Sequence, residues 1–315
     1  MPQFDLVCVG NAKIDTFLTL HEPNSHLRLS TETNEICIKF GEKITVDKAE
    51  ILLGGDAANV SVGTSRLGLS TALIAEIGTD EFAQKIINTL KKENIDTSNV
   101  CQIEGQQSSF STIINYKNDR TIFSEHVQRE HNFNFENIST KWVYLTSLGE
   151  KWLKAYADTI DFVKEKQCSL AFNPGTMQIE NGKDALVNVL SIANLLIVNK
   201  EEAEELLGYP QGQKNIEELS LGLQKLGPKI VAITDGKNGS FAINEKGNKF
   251  MQPMIEAEIV ERTGAGDAYS SGFISALLNN KSIADAMLWG TKNAASVIGK
   301  VGAQAGLLRK SEIEN

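Results

Sequence analysis

The stretch "ERTGAGDAYSSGFISALL", residues 261–278, sets one carboxylate, Asp267, directly after Gly264, Ala265 and Gly266, where an apolar, helix-like run begins. A helix start offers N–H groups that lack intrahelical partners, and its dipole favours an anion there. Gly264 and Gly266 let a phosphate approach the main chain. A carboxylate next to such a turn can take the proton from an attacking hydroxyl, while the N–H groups stabilise charge on a transferring phosphoryl group. The plainer alternative is a tight strand-to-helix turn with an acidic cap worth about 1 kcal/mol.

Two familiar nucleotide patterns are absent. The dinucleotide pattern GxGxxG would need glycine at 269, where Tyr269 stands, and GxxxxGK[ST] occurs nowhere. His21, His26, His126 and His131 form no HExxH or other tight metal pattern, so no structural zinc is expected. His126 and His131 read as lid or surface residues. Asn199 and Glu202 read equally as a helix cap and its third residue. Asp15 reads as an exposed strand residue and Asn59 as a polar residue early in a helix. Tyr269, Phe273, Ala276 and Leu277 read as core, and "KEEAEE" (200–205) as a solvated helix face apart from Glu202.

These residues need elements to position them. Buried, strand-like runs fall at 4–10, 71–78, 142–148, 168–173, 194–199 and 229–234. Helical patterns separate them at 58–67, 81–92, 153–166, 200–207 and 216–226, and two more close the chain at about 267–280 and 282–299. Near-continuous apolar strands alternating with helices indicate an α/β protein with a mainly parallel central sheet covered on both faces. Residues 14–53 and 108–124 break that rhythm with period-2 alternation and polar turns, and read as a small β-sheet lid on one domain spanning 1–315.

The chain has 315 residues, 41% hydrophobic and 23% charged, as in a globular protein with a sizeable core. The net charge of −9 argues against nucleic acid or an anionic membrane as the main partner. There is no apolar run of about 20 residues and no leader-like N-terminus, which sets the expectation of a cytoplasmic protein. Cys8, Cys37, Cys101 and Cys168 read as reduced, mostly buried thiols.

"ERTGAGDAYSSGF" resembles the C-terminal signature of the PfkB family, the ribokinase-like carbohydrate kinases. Further motifs follow in order. "GNAKID" (10–15) resembles a first-strand motif whose closing acid binds substrate hydroxyls, and "LGGDAANVSVGTSRLG" (53–68) the N-terminal signature. "NKEEAEELLG" (199–208) is similar to an Asn-x-x-Glu motif near magnesium and phosphates. "ITDGKNGS" (233–240) resembles a strand-turn at the nucleotide, and "KNAASVIGKVGA" (292–303) the helix and turn beside adenine. The resemblance implies a ribokinase-like three-layer α/β/α sandwich and ATP-dependent phosphorylation of a sugar or nucleoside hydroxyl. By it, Asp267 is the base and Gly264, Ala265 and Gly266 form the anion hole. Asn199 and Glu202 organise Mg²⁺ through water. Thr234, Gly236 and Gly239 line the ATP phosphates and ribose, and Asn293 lies beside adenine. Asp15, Gly54, Gly55 and Asn59 hold the acceptor. The resemblance also implies pairing of two copies through the lid.

Two departures stand out. Glu261-Arg262-Thr263 replaces the family's common Asp-Thr-Thr, whose acid helps hold a monovalent cation, so Glu261 is the candidate K⁺ ligand and Arg262 adds positive charge near the phosphates. Asp56 follows Gly54-Gly55 where ribokinase resembles Gly-Gly-Lys. Lys13, Lys39, Lys43 and Arg120 are the candidate donors for an acidic acceptor. A non-catalytic sugar- or nucleotide-binding regulator is the alternative, against which the intact Gly-Ala-Gly-Asp and Asn-x-x-Glu speak.

Overall fold

Thr71–Ile77 is buried at every position, and a strand buried on both faces needs a covered sheet. The structure, a computed structural model, describes residues 3–20, 27–30, 32, 35–116, 119–125 and 127–315. Numbered in chain order, its large sheet contains β1 (Phe4–Val9), β6 (Thr71–Ile77), β7 (Val100–Gln102), β10 (Thr140–Leu145), β11 (Ser169–Phe172), β12 (Leu195–Asn199), β13 (Ile230–Thr234), β14 (Ser240–Asn244) and β15 (Lys249–Gln252). The small sheet contains β2 (Lys13–Leu20), β5 (Val46–Gly54), β8 (Phe110–Tyr116) and β9 (Asp119–Glu125), and β3 (Leu27–Ser30) pairs with β4 (Glu35–Ile38).

The large sheet is ordered β15-β14-β13-β12-β11-β10-β1-β6-β7. It is parallel from β13 to β7, and β14 and β15 add an antiparallel edge. After β1 the chain winds outward through β6 and β7, then returns to the other side of β1 and winds outward from β10. The junction of β1 and β10 is therefore the switch point of the sheet. In open α/β sheets the crevice beyond the carboxyl ends of the strands at that point is where ligands bind.

Alternation along the strands splits the core into two layers. Leu6 and Cys8 of β1 face α1 (Asp56–Arg66), α2 (Glu81–Lys92), α8 (Ala265–Leu278), α9 (Ile283–Ile298) and α10 (Lys310–Ile313). Val7 and Val9 face α3 (Trp152–Lys166), α4 (Thr176–Glu180), α5 (Lys183–Ile192), α6 (Lys200–Leu207) and α7 (Ile216–Gln224). This is the expected α/β/α sandwich, and Tyr269, Phe273 and Ala276 are buried in its core.

The lid sheet, ordered β5-β2-β8-β9, is mixed, because β2 runs parallel to β8. Its cross-strand rows alternate in character. Leu52, Asp15, Ser111 and Ser124 form one row, and Ile51, Thr16, Thr112 and Phe123 form the next, on the opposite face.

Several expectations are corrected. Three strands, β7, β14 and β15, and three helices, α4, α5 and α10, fall in stretches without an expected element. Cys37 and Cys101 are exposed and Cys168 half-buried, so only Cys8 is a buried thiol, although all four are free. Glu204 is not solvated: it is 2% exposed, and its carboxylate accepts the Gly212 N–H. His131 is buried. Asp15 is likewise buried rather than an exposed strand residue. His21, His26 and His126 lie outside the described residues.

Candidate active site

A cavity of about 450 Å³ runs along the carboxyl ends of the parallel strands. Asn11 reaches it from the end of β1, Lys13 from the start of β2, Ser147 from β10, Asn173 from β11 and Glu202 from the start of α6, and Gly264–Asp267 close one side. Asn11 and Ser147 mark the switch point, and the Asn11 amide donates to the Ser147 hydroxyl at 3.5 Å.

The turn before α8 has the shape its glycines permit. Gly264 has φ 78°, in the left-handed region, and a Cβ there would stand 2.4 Å from that of Ala303. Ala265 and Gly266 continue into the first turn of the helix, whose N–H groups lack carbonyls four residues back. Asp267 also belongs to that turn, and it lines the cavity while only 9% exposed. No side chain caps this helix.

Asp267 is held from one side. Its Oδ2 accepts the Asn59 amide at 2.8 Å, and the Asn59 oxygen accepts the Gln304 amide at 2.9 Å. Because Gln304 donates to the Asn59 oxygen, the NH₂ of Asn59 must face Asp267. Arg66 in turn donates to the Gln304 carbonyl at 2.7 Å. Burial pushes Asp267 well above the ordinary aspartate range. The Asp56 charge and then Asp15 add to that rise, while the Asn59 bond and Lys13 oppose it.

Asp15 is 4% exposed, and its Oδ1 has no hydrogen-bond partner. Burial, opposed by Lys13 and aided by Asp56, raises it to about 6. Gly54 stands beside it in the lid sheet, and a Cβ there would lie 2.0 Å from the Asp15 carboxylate. Gly54 is thus what lets that carboxylate fit. Gly55, the residue before α1, lines the cavity.

Asn199 and Glu202 form a full capping box, with each side chain accepting the other's N–H at 2.8 Å. The cap and the site coexist in Glu202, which also lines the cavity and has one oxygen outside the cap bond. Burial raises its carboxyl to about 7 despite the Asn199 N–H. Asn199 does not line the cavity, and its oxygen serves the cap. A divalent cation fits Glu202, since positive charge would offset the cost of burying that carboxylate. Among the described residues no cluster of three His, Cys, Asp or Glu could hold a metal by itself.

Thr234 ends β13 level with Asn199 on β12. Gly236 opens the short 3₁₀ turn that follows, and Gly239 closes it. These three stand at the same end of the sheet as the cavity but outside its lining. Asn293 is fully buried, donates to the Ala268 carbonyl and the Ser271 hydroxyl at 2.9 Å each, and accepts the Leu308 N–H. Its side chain joins α9 to the first turns of α8, and both of its amide hydrogens are spent on partners within the protein.

Sequence reasoning passed over Asn11, Ser147, Asn173 and Gln304 and gave Asp56 no role. Asp56 lines the cavity, accepts the Ser147 hydroxyl, and raises both Asp15 and Asp267. Its only sequence signal was a carboxylate directly after two glycines at a helix start. Of the four candidate cations, Lys13 and Arg120 line the cavity together with Arg262. Lys39 pairs instead with Glu42 at 3.0 Å, and Lys43 is exposed on the lid.

The family model described as "pfkB family carbohydrate kinase" matches residues 5–310. The chain is 28% identical over 286 residues to a ribokinase of Haemophilus influenzae, covering 87% of this chain and 90% of that one. It is 25% identical over 316 residues to a 5-dehydro-2-deoxygluconokinase of Clostridium perfringens, covering 94% and 87%. The crystal structure of a putative ribokinase II from E. coli, in complex with ATP and Mg²⁺, superposes with a TM-score of 0.78 at 17% identity, covering 98% of this chain and 97% of that one.

The raised Asp15 carboxyl has a consequence for stability. Its folded value, about 6, exceeds the unfolded value of about 4. Its contribution to stability is therefore present below pH 4 and lost as pH rises through 6. Asp15→Asn should make the ligand-free protein more stable than the parent at pH 8, by on the order of 3 kcal/mol, with a smaller gain at pH 5. Urea unfolding at both pH values checks this, and a gain that is equal at both, or larger at pH 5, contradicts it.

Proposed function

The chain belongs to the pfkB family of carbohydrate kinases, and on that premise we propose that it transfers the γ-phosphate of ATP to a hydroxyl of a small sugar-like acceptor, with Asp267 as base. The family makes it a phosphotransferase with an alcohol group as acceptor. What carries the finer reading is a buried carboxylate with a raised affinity for protons, placed on the Gly264–Asp267 helix turn that lines the same cavity.

The step balances as follows. Asp267 takes the proton from the acceptor hydroxyl, the freed oxygen forms a bond to the γ-phosphorus, and the bond from that phosphorus to the bridging oxygen breaks, leaving ADP. The N–H groups of Gly264–Asp267 receive charge from the transferring group. Asn59 holds one carboxylate oxygen and so fixes the direction of the other. Asp15 and Asn11 offer a carboxylate and an amide, which bond polyol hydroxyls in fixed directions. Thr234, Gly236 and Gly239 lie where the nucleotide would extend from the anion hole, along the carboxyl ends of β12 and β13. Magnesium bound near Glu202 would neutralise charge on the phosphates. Arg120 approaches Glu261, the candidate potassium ligand, at 3.7 Å.

The relatives named ribokinase and 5-dehydro-2-deoxygluconokinase bracket the acceptor between a neutral and an acidic sugar. A nucleoside is the second acceptor class to include. The whole chain, 1–315, acts as one domain with its lid, in the cytoplasm; among the described residues no helix is long and apolar enough to cross a membrane. Two copies pair through the lid face opposite the cavity, where Ile51 is 44% and Phe123 59% exposed in one cross-strand row.

Two outcomes are expected. With a panel of sugars, sugar acids and nucleosides, ADP release should identify an acceptor, and Asp267→Asn should lower turnover on it about a thousandfold while ATP binding persists. Near-normal turnover in that variant would remove Asp267 as the base. In sedimentation at micromolar concentration the protein should run as a dimer, and a monomer with and without ligand removes the pairing.

A further inference from the structure

The lid and the anion hole meet at one pair of charges. Arg120 lies on β9, and its Nε is 3.7 Å from Oε1 of Glu261. Glu261 is 1% exposed and stands three residues before Gly264. The same Oε1 accepts the Thr263 N–H at 2.6 Å, so this carboxylate braces the backbone that leads into the Gly264–Gly266 turn. Arg120 lines the cavity, and its Nη1 also lies 3.6 Å from the exposed Asp119.

The junction is not fully paired. Arg120 Nε, Glu261 Oε2, Thr263 Oγ1 and both amide atoms of Asn115, the cross-strand neighbour of Arg120, are buried without a hydrogen-bond partner. Buried polar groups left alone are costly, above all charged ones. A separation of 3.7 Å is beyond a hydrogen bond, yet a closing movement of the lid by less than 1 Å would bring it within range. A second monovalent cation beside this carboxylate would meet the guanidinium, so Glu261 does not suit a potassium ion.

We propose that Arg120 is a positioning residue that serves as the built-in cation of Glu261, so that closing the lid completes the anion hole without a bound monovalent ion. The cost of burying Glu261 is offset only when the lid is closed over the cavity. Rigid placement of the Gly264–Asp267 N–H groups then coincides with enclosure of the substrates. Arg262, exposed beside the same turn, stays available to the phosphates. The inference rests on the kinase reading for its role in turnover, but the bracing itself does not depend on it.

The test uses the full chain, with Arg120→Gln, Arg120→Lys, Glu261→Gln and the double glutamine variant. Without substrates, amide hydrogen exchange over residues 262–267 should be faster in Arg120→Gln than in the parent, and restored by Arg120→Lys. Replacing potassium chloride with tetramethylammonium chloride should leave the parent's exchange unchanged. In turnover, the parent should run equally in potassium, sodium and tetramethylammonium salts at equal ionic strength. Arg120→Gln should lose roughly tenfold or more in kcat with a smaller change in the KM for ATP, and adding Glu261→Gln should cost little more. Potassium-dependent exchange or turnover in the parent overturns the proposal, as does unchanged exchange in Arg120→Gln. If no acceptor is phosphorylated, the kinase reading fails, and the exchange result still decides this one.

Discussion

A carboxylate withdrawn from water beside a second carboxylate is the constraint around which this site is built. Asp267 is 9% exposed, and the charge of Asp56 reinforces what burial does to it. An unpaired buried charge costs several kcal/mol and ordinarily neutralises itself. Here it is kept ionisable by three neighbours: the first turn of α8, the Asn59 amide and, more weakly, Lys13. Each of these is itself held. Gln304 fixes the amide of Asn59, Arg66 fixes the loop that carries Gln304, and Asn293 ties α8 to α9 one residue beyond the base.

The same logic extends to the acceptor side. Asp15 pays for its burial with an unpartnered oxygen and a value raised to about 6, both of which suit a group waiting for hydroxyls to bond it. Glu202, raised to about 7, suits a metal ion in the same way. Acidic groups made unstable by burial and mutual repulsion thus mark where positive charge, protons or hydroxyl donors belong. The lid carries Lys13 and Arg120 to that cluster, and Arg120 reaches past the acceptor side to the segment leading into the anion hole.

Legibility in the sequence followed how local each signal was. The parallel strands were readable because both faces are buried, which leaves unbroken apolar runs such as Leu6–Val9 in β1. Helices α6 and α9 were readable partly through polar starts, and both begin with capping boxes, at Asn199 and Ser282. Helices α4 and α5 begin at Gly175 and Gly182 with no side-chain cap, so nothing announced them. In the site, the turn and Asp267 form one contiguous stretch and were readable as chemistry. Ser147, Asn173 and Gln304 reach the site only through the fold. Gln304 lies 245 residues from the Asn59 it orients, and no spacing rule connects them. Asn293 lies in a motif, while the three partners its amide finds inside the fold were not legible in the spacing.

The most direct test of the central claim is the pH dependence of kcat/KM for the parent and for Asp56→Asn. The acid limb of the parent should lie above the ordinary aspartate value of about 4, because a proton on Asp267 blocks the step. Removing the Asp56 charge should move that limb to lower pH, whatever it does to the maximal rate. A limb that stays in place, or moves to higher pH, would show that Asp267 is not the proton acceptor held up by its neighbour.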